Sequence, residues 1–261
     1  MKNAHQALQV LVLLAFLLAS CNFSAEGTGL SSTPDGGSST PVMEETPLDL
    51  TRLSPSPSPI DIPQAEHVIG IHLVNGVGEF YNKKTGEKFI PRGVNYVFVP
   101  AGNGYSNLTL RVGIYNPQRT RDDFAKLAGL GYNTVRVFLD QCSAGPGCIG
   151  DDDNDGLNPE YLDNIADMMS VARETGIYIQ FTSNDLPDQG GYSEEANSAS
   201  GETFAGYRNS YYLTPQAISA TRRYWRDLLT ALIERNAAFD AVLSWQLLNE
   251  QWMFEDQPPL S

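Results

Sequence analysis

The sequence is poor in basic side chains. Lys and Arg total 17 against 31 Asp and Glu, so the formal net charge is −14 at pH 7. A surface this acidic repels the phosphate backbone of nucleic acids, and nucleic-acid binding is therefore not expected. It suits a neutral ligand better than a polyanion. With 41% hydrophobic and 10% aromatic residues, the chain can still build a sizeable core.

The sequence also has no apolar run long enough to span a membrane comfortably. Its most apolar stretch, Leu8 to Ala19 behind Lys2, has the length of a signal-peptide core. The stretch ends in Leu18-Ala19-Ser20-Cys21, which resembles the bacterial lipobox. The resemblance implies cleavage before Cys21 and acylation of that cysteine. It predicts an exported protein, lipid-anchored to the bacterial cell envelope at the outer face or in the periplasm. A plain secretory signal with an incidental cysteine is the alternative.

Cysteine is scarce as well, with three in the chain. If Cys21 carries lipid, Cys142 and Cys148 remain, close together in a Gly- and Pro-containing segment. In an oxidising compartment a disulfide between them is the expected state. A metal site is less favoured, because no His or further Cys lies nearby.

Composition divides the chain into three parts. Residues 1–20 are the predicted signal peptide. Residues 21–66 are rich in Ser, Thr and Pro, cannot bury enough apolar surface to fold, and predict a disordered linker. Residues 67–261 carry the predicted folded domain.

The folded part begins with a predicted β-hairpin, made of apolar runs at 68–74 and 79–81, a turn at 82–86 and a returning segment at 88–91. Strands then alternate with helices. The expected strands are 93–99, 133–139, 177–182 and 241–248. The expected helices begin at 120, at Asn158-Pro159 and at Thr214-Pro215.

The connections in this part are unequal in length. Long loops follow the strands, at about 100–119, 140–157 and 183–213, whereas two or three residues lead from each helix to the next strand. This asymmetry is typical of a barrel whose strand carboxyl ends carry function. The predicted fold class is α/β: a partial (β/α)₈ TIM barrel, its first four βα units, preceded by a β-hairpin. A doubly wound sheet is the structural alternative.

Four segments resemble the clan A glycoside hydrolases, in particular the cellulase- and mannanase-like family five. They are Pro91-Arg-Gly-Val-Asn-Tyr96, the passage 127–139, Gly176-Ile-Tyr-Ile-Gln-Phe-Thr182, and Trp245-Gln-Leu-Leu-Asn-Glu250. The resemblance covers about three quarters of the chain. It implies hydrolysis of O-glycosidic bonds in a β-linked glucan or mannan by a retaining mechanism, with no cofactor required.

The resemblance also implies roles for individual residues. Glu250, at the end of the fourth strand, would be the acid/base carboxylate. Asn249 would donate its amide to the sugar 2-hydroxyl, and Arg136 would keep a neighbouring carboxylate ionised. The further candidates for sugar contact are Asn95, Tyr96, Trp252 and, where many relatives have a His, Asn184.

The family's nucleophile, a Glu at the end of strand seven, has no counterpart in the sequence. Residues 68–261 supply four predicted strands of the eight in a barrel. The expectation is therefore an incomplete fragment, inactive alone. Two alternatives are open: a non-catalytic carbohydrate-binding surface lipoprotein, and a defective gene product.

An acidic segment remains outside this scheme. In the segment 151–156, Asp151, Asp153 and Asp155 alternate before a Gly, as in the opening of a calcium loop. The twelfth position, where an EF-hand has Glu, is Leu162. A structural calcium site is one prediction, and a solvated acidic loop that caps the following helix is the other.

Overall fold

The computed structural model describes residues 67–99, 108–139, 146–153, 155–198 and 206–260. They all fall in one unit of the chain, which contains an antiparallel hairpin and a four-stranded parallel sheet with helices between its strands. The proposed signal peptide and linker lie outside the described residues, so both assignments stay predictions. Within the described ranges, no helix has the length and apolar character needed to cross a membrane.

The hairpin pairs β1 (Ile69–Val74) with β2 (Val77–Asn82) in antiparallel register. Asn75 and Gly76 join them with φ values of 52° and 80°. Two left-handed residues are what a two-residue turn between twisted strands requires, and Asn-Gly is the sequence that adopts them most easily. The predicted hairpin is confirmed. The expected turn at 82–86 is present as well, since the Gly86 N–H donates to the Asn82 carbonyl at 2.7 Å and Tyr81 pairs with Lys88, whereas the turn at Asn75-Gly76 was not predicted.

The parallel sheet contains four strands: β3 (Gly93–Asn95), β4 (Thr134–Leu139), β5 (Tyr178–Ser183) and β6 (Val242–Gln246). They lie side by side in sequence order. Crossovers between parallel strands share one hand, so an order without reversal places the connecting helices on one face. A doubly wound sheet reverses its order at a switch point, which these strands do not do. The α/β class and the parallel sheet are confirmed, whereas closure into a barrel stays a prediction.

Among the described residues, the three longest helices begin where a short polar side chain meets proline. The helices in these ranges are α1 (Pro117–Gly129), α2 (Pro159–Thr175), α3 (Tyr192–Asn197), α4 (Ser210–Leu213) and α5 (Pro215–Glu234), followed by a 3₁₀ turn at Phe239–Ala241. Three of these helices are capped by a side-chain oxygen that accepts a hydrogen bond from a backbone N–H group; the caps are Asn116 for α1, Asn158 for α2 and Thr214 for α5. The starts of α2 and α5 were predicted, whereas α1 begins three residues before the expected 120 because Asn116-Pro117 is its cap.

Alternate residues of the strands point to opposite faces of the sheet. The face toward the helices is apolar and fully or almost fully buried; it includes Val135, Val137, Leu139, Ile179 and Phe181. The other face carries polar side chains in register. Asn95 lies beside Arg136, Arg136 beside Gln180, and Gln180 beside Ser244. This second face positions the candidate site.

Candidate functional site

The polar face of the sheet borders an open groove of about 470 Å³. Asn95, Arg136, Gln180 and Ser244 form one layer of its lining, and Phe80 of the hairpin contributes at the side of the strand amino ends. At the carboxyl ends of the same strands the side chains become more densely hydrogen-bonded. Functional groups in parallel α/β folds collect at that edge, so the candidate site is built there.

Arg136 is the centre of this edge. Its Nε donates to Thr182 Oγ1 (3.1 Å) and Gln246 Oε1 (3.2 Å), and its Nη2 donates to Gln246 Oε1 (2.8 Å) and Asn249 Oδ1 (2.7 Å). Its Cζ lies 4.4 Å from the centroid of the Phe138 ring, two residues along the same strand. All of these acceptors are neutral. Among the described residues, Arg136 therefore holds amide and hydroxyl oxygens, and its role in keeping a neighbouring carboxylate ionised stays a prediction.

Asn249 is held in one orientation by this network. Its Oδ1 accepts from Arg136, which can only donate, so the amide NH₂ must point away from the guanidinium. The NH₂ donates to Asn184 Oδ1 at 3.3 Å. The Asn249 backbone N–H donates to the Ser183 carbonyl at 2.8 Å, which extends the β5–β6 pairing to the edge. We call Arg136, Thr182, Asn184, Gln246 and Asn249 the rim set.

Glu250 follows Asn249 directly and has an unusual backbone conformation. Its φ is 47°, in the left-handed region, which is uncommon for a residue with a long side chain. Its side chain is exposed, and no hydrogen bond or ion pair joins it to another residue in the part of the chain that the structure describes. Local strain of this kind collects at functional positions. Glu250 thus stands at the strand carboxyl ends, beside the rim set, with its carboxylate accessible.

Comparison with known proteins gives a likeness of fold to a solved structure. No protein-family model matches the chain, and no curated protein matches it. Among solved structures, the chain is similar to the exo-beta-1,4-mannosidase Op5Man5 from Opitutaceae bacterium strain TAV5, with 19% identity and a TM-score of 0.41 over 72% of this chain. The matched part spans 29% of the length of the mannosidase. At that score the likeness carries no argument about the site, which depends on the geometry alone.

The structure brings some of the predicted sugar-contact residues together and separates others. Asn184 and Asn249 meet in the rim set, and Asn95 lies in the layer of Arg136. Tyr96 does not join them. Its hydroxyl donates to Asp123 Oδ2 at 2.9 Å and its ring packs edge-on against Phe124 of α1, because it follows Asn95 and points to the opposite face.

Trp252 also lies apart from the rim set. It is 59% exposed, and its ring centroid lies 5.4 Å from that of Phe254 and 5.5 Å from the guanidinium carbon of Arg208. It belongs to the loop after β6, whereas Arg208 comes from the loop after β5.

Two residues of the rim set were missed from the sequence. Gln246 accepts three of the hydrogen bonds at the edge, from two nitrogens of Arg136 and from Thr182 Oγ1 at 3.1 Å, and donates to the Leu248 carbonyl at 3.0 Å. Thr182 is fully buried. The sequence signal for Gln246 and Thr182 is a polar side chain at every second position of a strand whose other side chains are apolar. Such alternation is unexpected in a parallel sheet covered on both faces, and it marks a polar inner face.

The acidic loop does not form a metal-binding cluster in the described residues, which omit Asn154. No three His, Cys, Asp or Glu side chains converge there or elsewhere in those ranges. Asp151 Oδ1 accepts from the backbone N–H of Asp153 at 3.0 Å, and the Asp151 N–H donates to the Gly156 carbonyl. The calcium site at Asp151, Asp153 and Asp155 stays a prediction.

The cysteine predictions fall partly outside the described residues. Cys148 is fully buried, but Cys142 and the lipidation candidate Cys21 are not among the described positions. The Cys142–Cys148 disulfide and the lipid anchor therefore stay predictions.

Proposed function

We propose that this chain binds a β-linked glucan or mannan at the carboxyl edge of its sheet, and that Glu250 is the acid/base carboxylate of a retaining O-glycoside hydrolysis there. The observation that carries the proposal is the placement of Glu250. It directly follows Asn249, whose amide Arg136 orients, after the end of β6, in a left-handed conformation that presents its carboxylate to solvent.

The chemistry assigns a task to each group. Glu250 would give its proton to the leaving glycosidic oxygen while a second carboxylate bonds to the anomeric carbon and the C–O bond breaks. It would later take a proton from the water that displaces this carboxylate and releases the sugar. Arg136 would act as a positioning residue, because it fixes the oxygen of Asn249 and leaves the amide NH₂ free to turn from Asn184 to a sugar hydroxyl. A hydrogen bond to the 2-hydroxyl strengthens in an oxocarbenium-like transition state.

Capture of a sugar without cleavage is the second candidate function. A retaining hydrolysis needs another carboxylate about 5–5.5 Å from the first. Within the described ranges, the hydrogen-bond partners of Arg136 include no carboxylate. That observation favours binding as the function of the described residues by themselves.

The cellular setting is proposed from the sequence. We infer that acylation of Cys21 anchors the protein to the bacterial cell envelope and that the Ser/Thr/Pro-rich segment up to residue 66 holds the sugar site away from the membrane.

The test uses a preparation in which a second carboxylate is available to the site, because a retaining hydrolysis requires one, and compares the parent with its Glu250→Gln variant on cellohexaose and on β-1,4-mannohexaose. We expect Glu250→Gln to lower the release of reducing ends at least about 100-fold, since proton transfer alone contributes that much. Affinity for the same sugar, measured by calorimetry, should change less than about twofold, because the amide keeps the shape of the carboxyl group.

Glu255→Gln is the matched control, since Glu255 is also exposed and lies in the same loop. It should leave both quantities unchanged. Equal turnover by Glu250→Gln and the parent chain would reject the acid/base role. Binding without turnover in the parent chain would establish capture instead, and absence of both would reject the sugar-binding function.

A further inference from the structure

We propose that Arg208, Tyr212 and Trp252 form a second sugar-contact subsite, selective for an uncharged β-linked hexose unit, next to Glu250 on the carboxyl edge of the sheet. The chemical class of its ligand rests on the proposed function. We call these three residues the aromatic platform.

The platform is built from two loops that one buried side chain joins. Asn209 is fully buried; its Nδ2 donates to the carbonyls of Phe254 and Gln257 (both 2.9 Å), and its Oδ1 accepts from the Phe254 backbone N–H (2.8 Å). The neighbouring Arg208 backbone N–H donates to Gln257 Oε1 at 3.0 Å. The loop after β6, which carries Trp252, is therefore fixed against the loop after β5, so the platform is assembled before a ligand arrives.

The guanidinium of Arg208 is held by aromatic rings. Its carbon lies 5.2 Å from the ring centroid of Tyr212, 5.4 Å from that of Tyr211 and 5.5 Å from that of Trp252, and its Nη2 donates to the Tyr212 hydroxyl at 2.6 Å. Cation–π contacts of this kind orient a planar guanidinium without consuming its N–H groups. No ion pair engages Arg208 among the described residues, so N–H groups of its guanidinium remain as donors for sugar hydroxyls.

Trp252 presents an apolar surface beside this cation. Its side chain is 59% exposed although it is positioned by Arg208 and by Phe254. A fixed and exposed indole is unfavourable in water, and covering its face with the C–H side of a pyranose ring recovers that free energy. Because Trp252 is two residues after Glu250, a sugar stacked on it would lie close to the proposed point of cleavage.

The charges around the platform favour a neutral sugar over a uronic acid. Asp185 lies near enough to Arg208 to interact electrostatically, and Asp188 lies near Asp185. The Asp185 carboxylate offsets charge of the Arg208 guanidinium, and Asp188 adds negative charge next to Asp185, so an anionic ligand gains less attraction than it would from an isolated guanidinium. A carboxylate and a guanidinium together suit the paired hydroxyls of a neutral hexose, which both accept and donate hydrogen bonds.

The experiment measures binding in the full chain carrying Glu250→Gln, so that its outcome is independent of hydrolysis. The probes are β-1,4-mannohexaose, cellohexaose and the acidic β-1,4-linked hexamannuronate, and the readouts are calorimetry and tryptophan fluorescence. We expect Trp252→Ala and Arg208→Ala each to weaken binding of a neutral hexaose at least about tenfold. Trp252→Phe and Arg208→Lys should fall in between, and hexamannuronate should bind at least about tenfold more weakly.

Arg222→Ala is the control, because Arg222 is an exposed arginine on α5 outside the platform. It should bind the hexaose within about twofold of the parent. Circular dichroism reports whether each variant is folded, and Arg208→Lys and Trp252→Phe carry the test if the alanine variants are not.

The subsite is overturned if the platform variants keep the parent affinity, if hexamannuronate binds more tightly than the neutral sugars, or if neither neutral hexaose binds. The first two outcomes overturn the subsite and leave the role of Glu250 untouched, whereas absence of binding by both neutral hexaoses would reject the proposed sugar-binding function together with the subsite. Platform-dependent binding by a chain that does not cleave would reject the hydrolase and leave the subsite in place.

Discussion

The two faces of the parallel sheet have opposite compositions although they are built by the same strands. In β5, Ile179 and Phe181 are fully buried against the helices, whereas Gln180 and Thr182 lie on the face of Arg136. The helix-facing side has tight apolar packing, including the stacked rings of Phe181 and Trp245 with centroids 5.1 Å apart. The other side has a network of long-range hydrogen bonds. Alternate residues of one strand therefore have different tasks: one set packs the core that stabilises the fold, and the other set lines the candidate site.

The largest effect is expected from removing a ring on the apolar face. Phe181→Ala should lower the free energy of unfolding by about 3–5 kcal/mol, because it leaves a cavity among fully buried neighbours. The matched change on the other face, Gln180→Ala, should cost less than about 1 kcal/mol, since Gln180 lines an open groove. Urea unfolding followed by circular dichroism measures both. Similar losses for the two variants would remove the distinction between the faces.

A smaller effect is expected within the polar network. Gln246→Ala removes the acceptor shared by two nitrogens of Arg136 and by Thr182. Each nitrogen keeps one other acceptor, whereas the Thr182 hydroxyl loses the acceptor it has among the described residues. The free energy of unfolding should fall by about 1–3 kcal/mol. Affinity for a neutral hexaose should fall as well, because Arg136 no longer has a fixed position from which to orient Asn249.

Gln246→Glu is the matched variant, because it restores an acceptor oxygen on a side chain of the same length. It should recover most of the unfolding free energy, as urea titration would show. If affinity falls in Gln246→Ala while unfolding is unchanged, the network positions Asn249 without stabilising the fold. If neither quantity changes, Gln246 has no part in either.

The smallest effect concerns the loop after β5. Burial raises the pKa of Asp185 above the usual value for an aspartate, with the nearby Asp188 adding to the rise and the Leu186 N–H and Arg208 opposing it. The folded state therefore favours the protonated carboxyl, and stability is lost as pH rises from the unfolded pKa through the folded one. Asp185→Asn should stabilise the chain at pH 7. The gain should be less than about 1 kcal/mol, because solvent screens the charge of this partly exposed carboxylate.

The gain should vanish at about pH 3, where the carboxyl is protonated in both states. Urea unfolding at the two pH values checks this. A gain that is equal at both would show that the carboxylate charge at Asp185 is not its cause.

Several elements of the fold could be predicted because their signals are local. Asn158-Pro159 and Thr214-Pro215 cap α2 and α5 with side chains next to the N–H groups they satisfy, and Gly176 ends α2 with φ 73°. The start of α1 was missed although Asn116-Pro117 carries the same signal. The hairpin was predicted, but its closing turn at Asn75-Gly76 was not identified. These errors concern boundaries and leave the order of elements unchanged.

The candidate site could be predicted only in part. Glu250 and Asn249 were placed at the end of a strand by resemblance, and Arg136 on its strand by pattern. The role of Gln246 was not predicted, because its partner Arg136 is 110 positions away. Tyr96 was expected at the site, yet one step along the strand turns it to α1.

By itself the sequence determined the α/β alternation, the caps of α2 and α5, and the acidic balance that favours a neutral ligand. Each of these depends on residues close together in the chain or on a sum over all of them. Only the tertiary structure decided that the strands lie in sequence order, that Gln246 and Asn249 share the guanidinium of Arg136, and that Arg208 meets Trp252. Those contacts join segments that are distant in the chain, and packing of the sheet brings them within hydrogen-bond range.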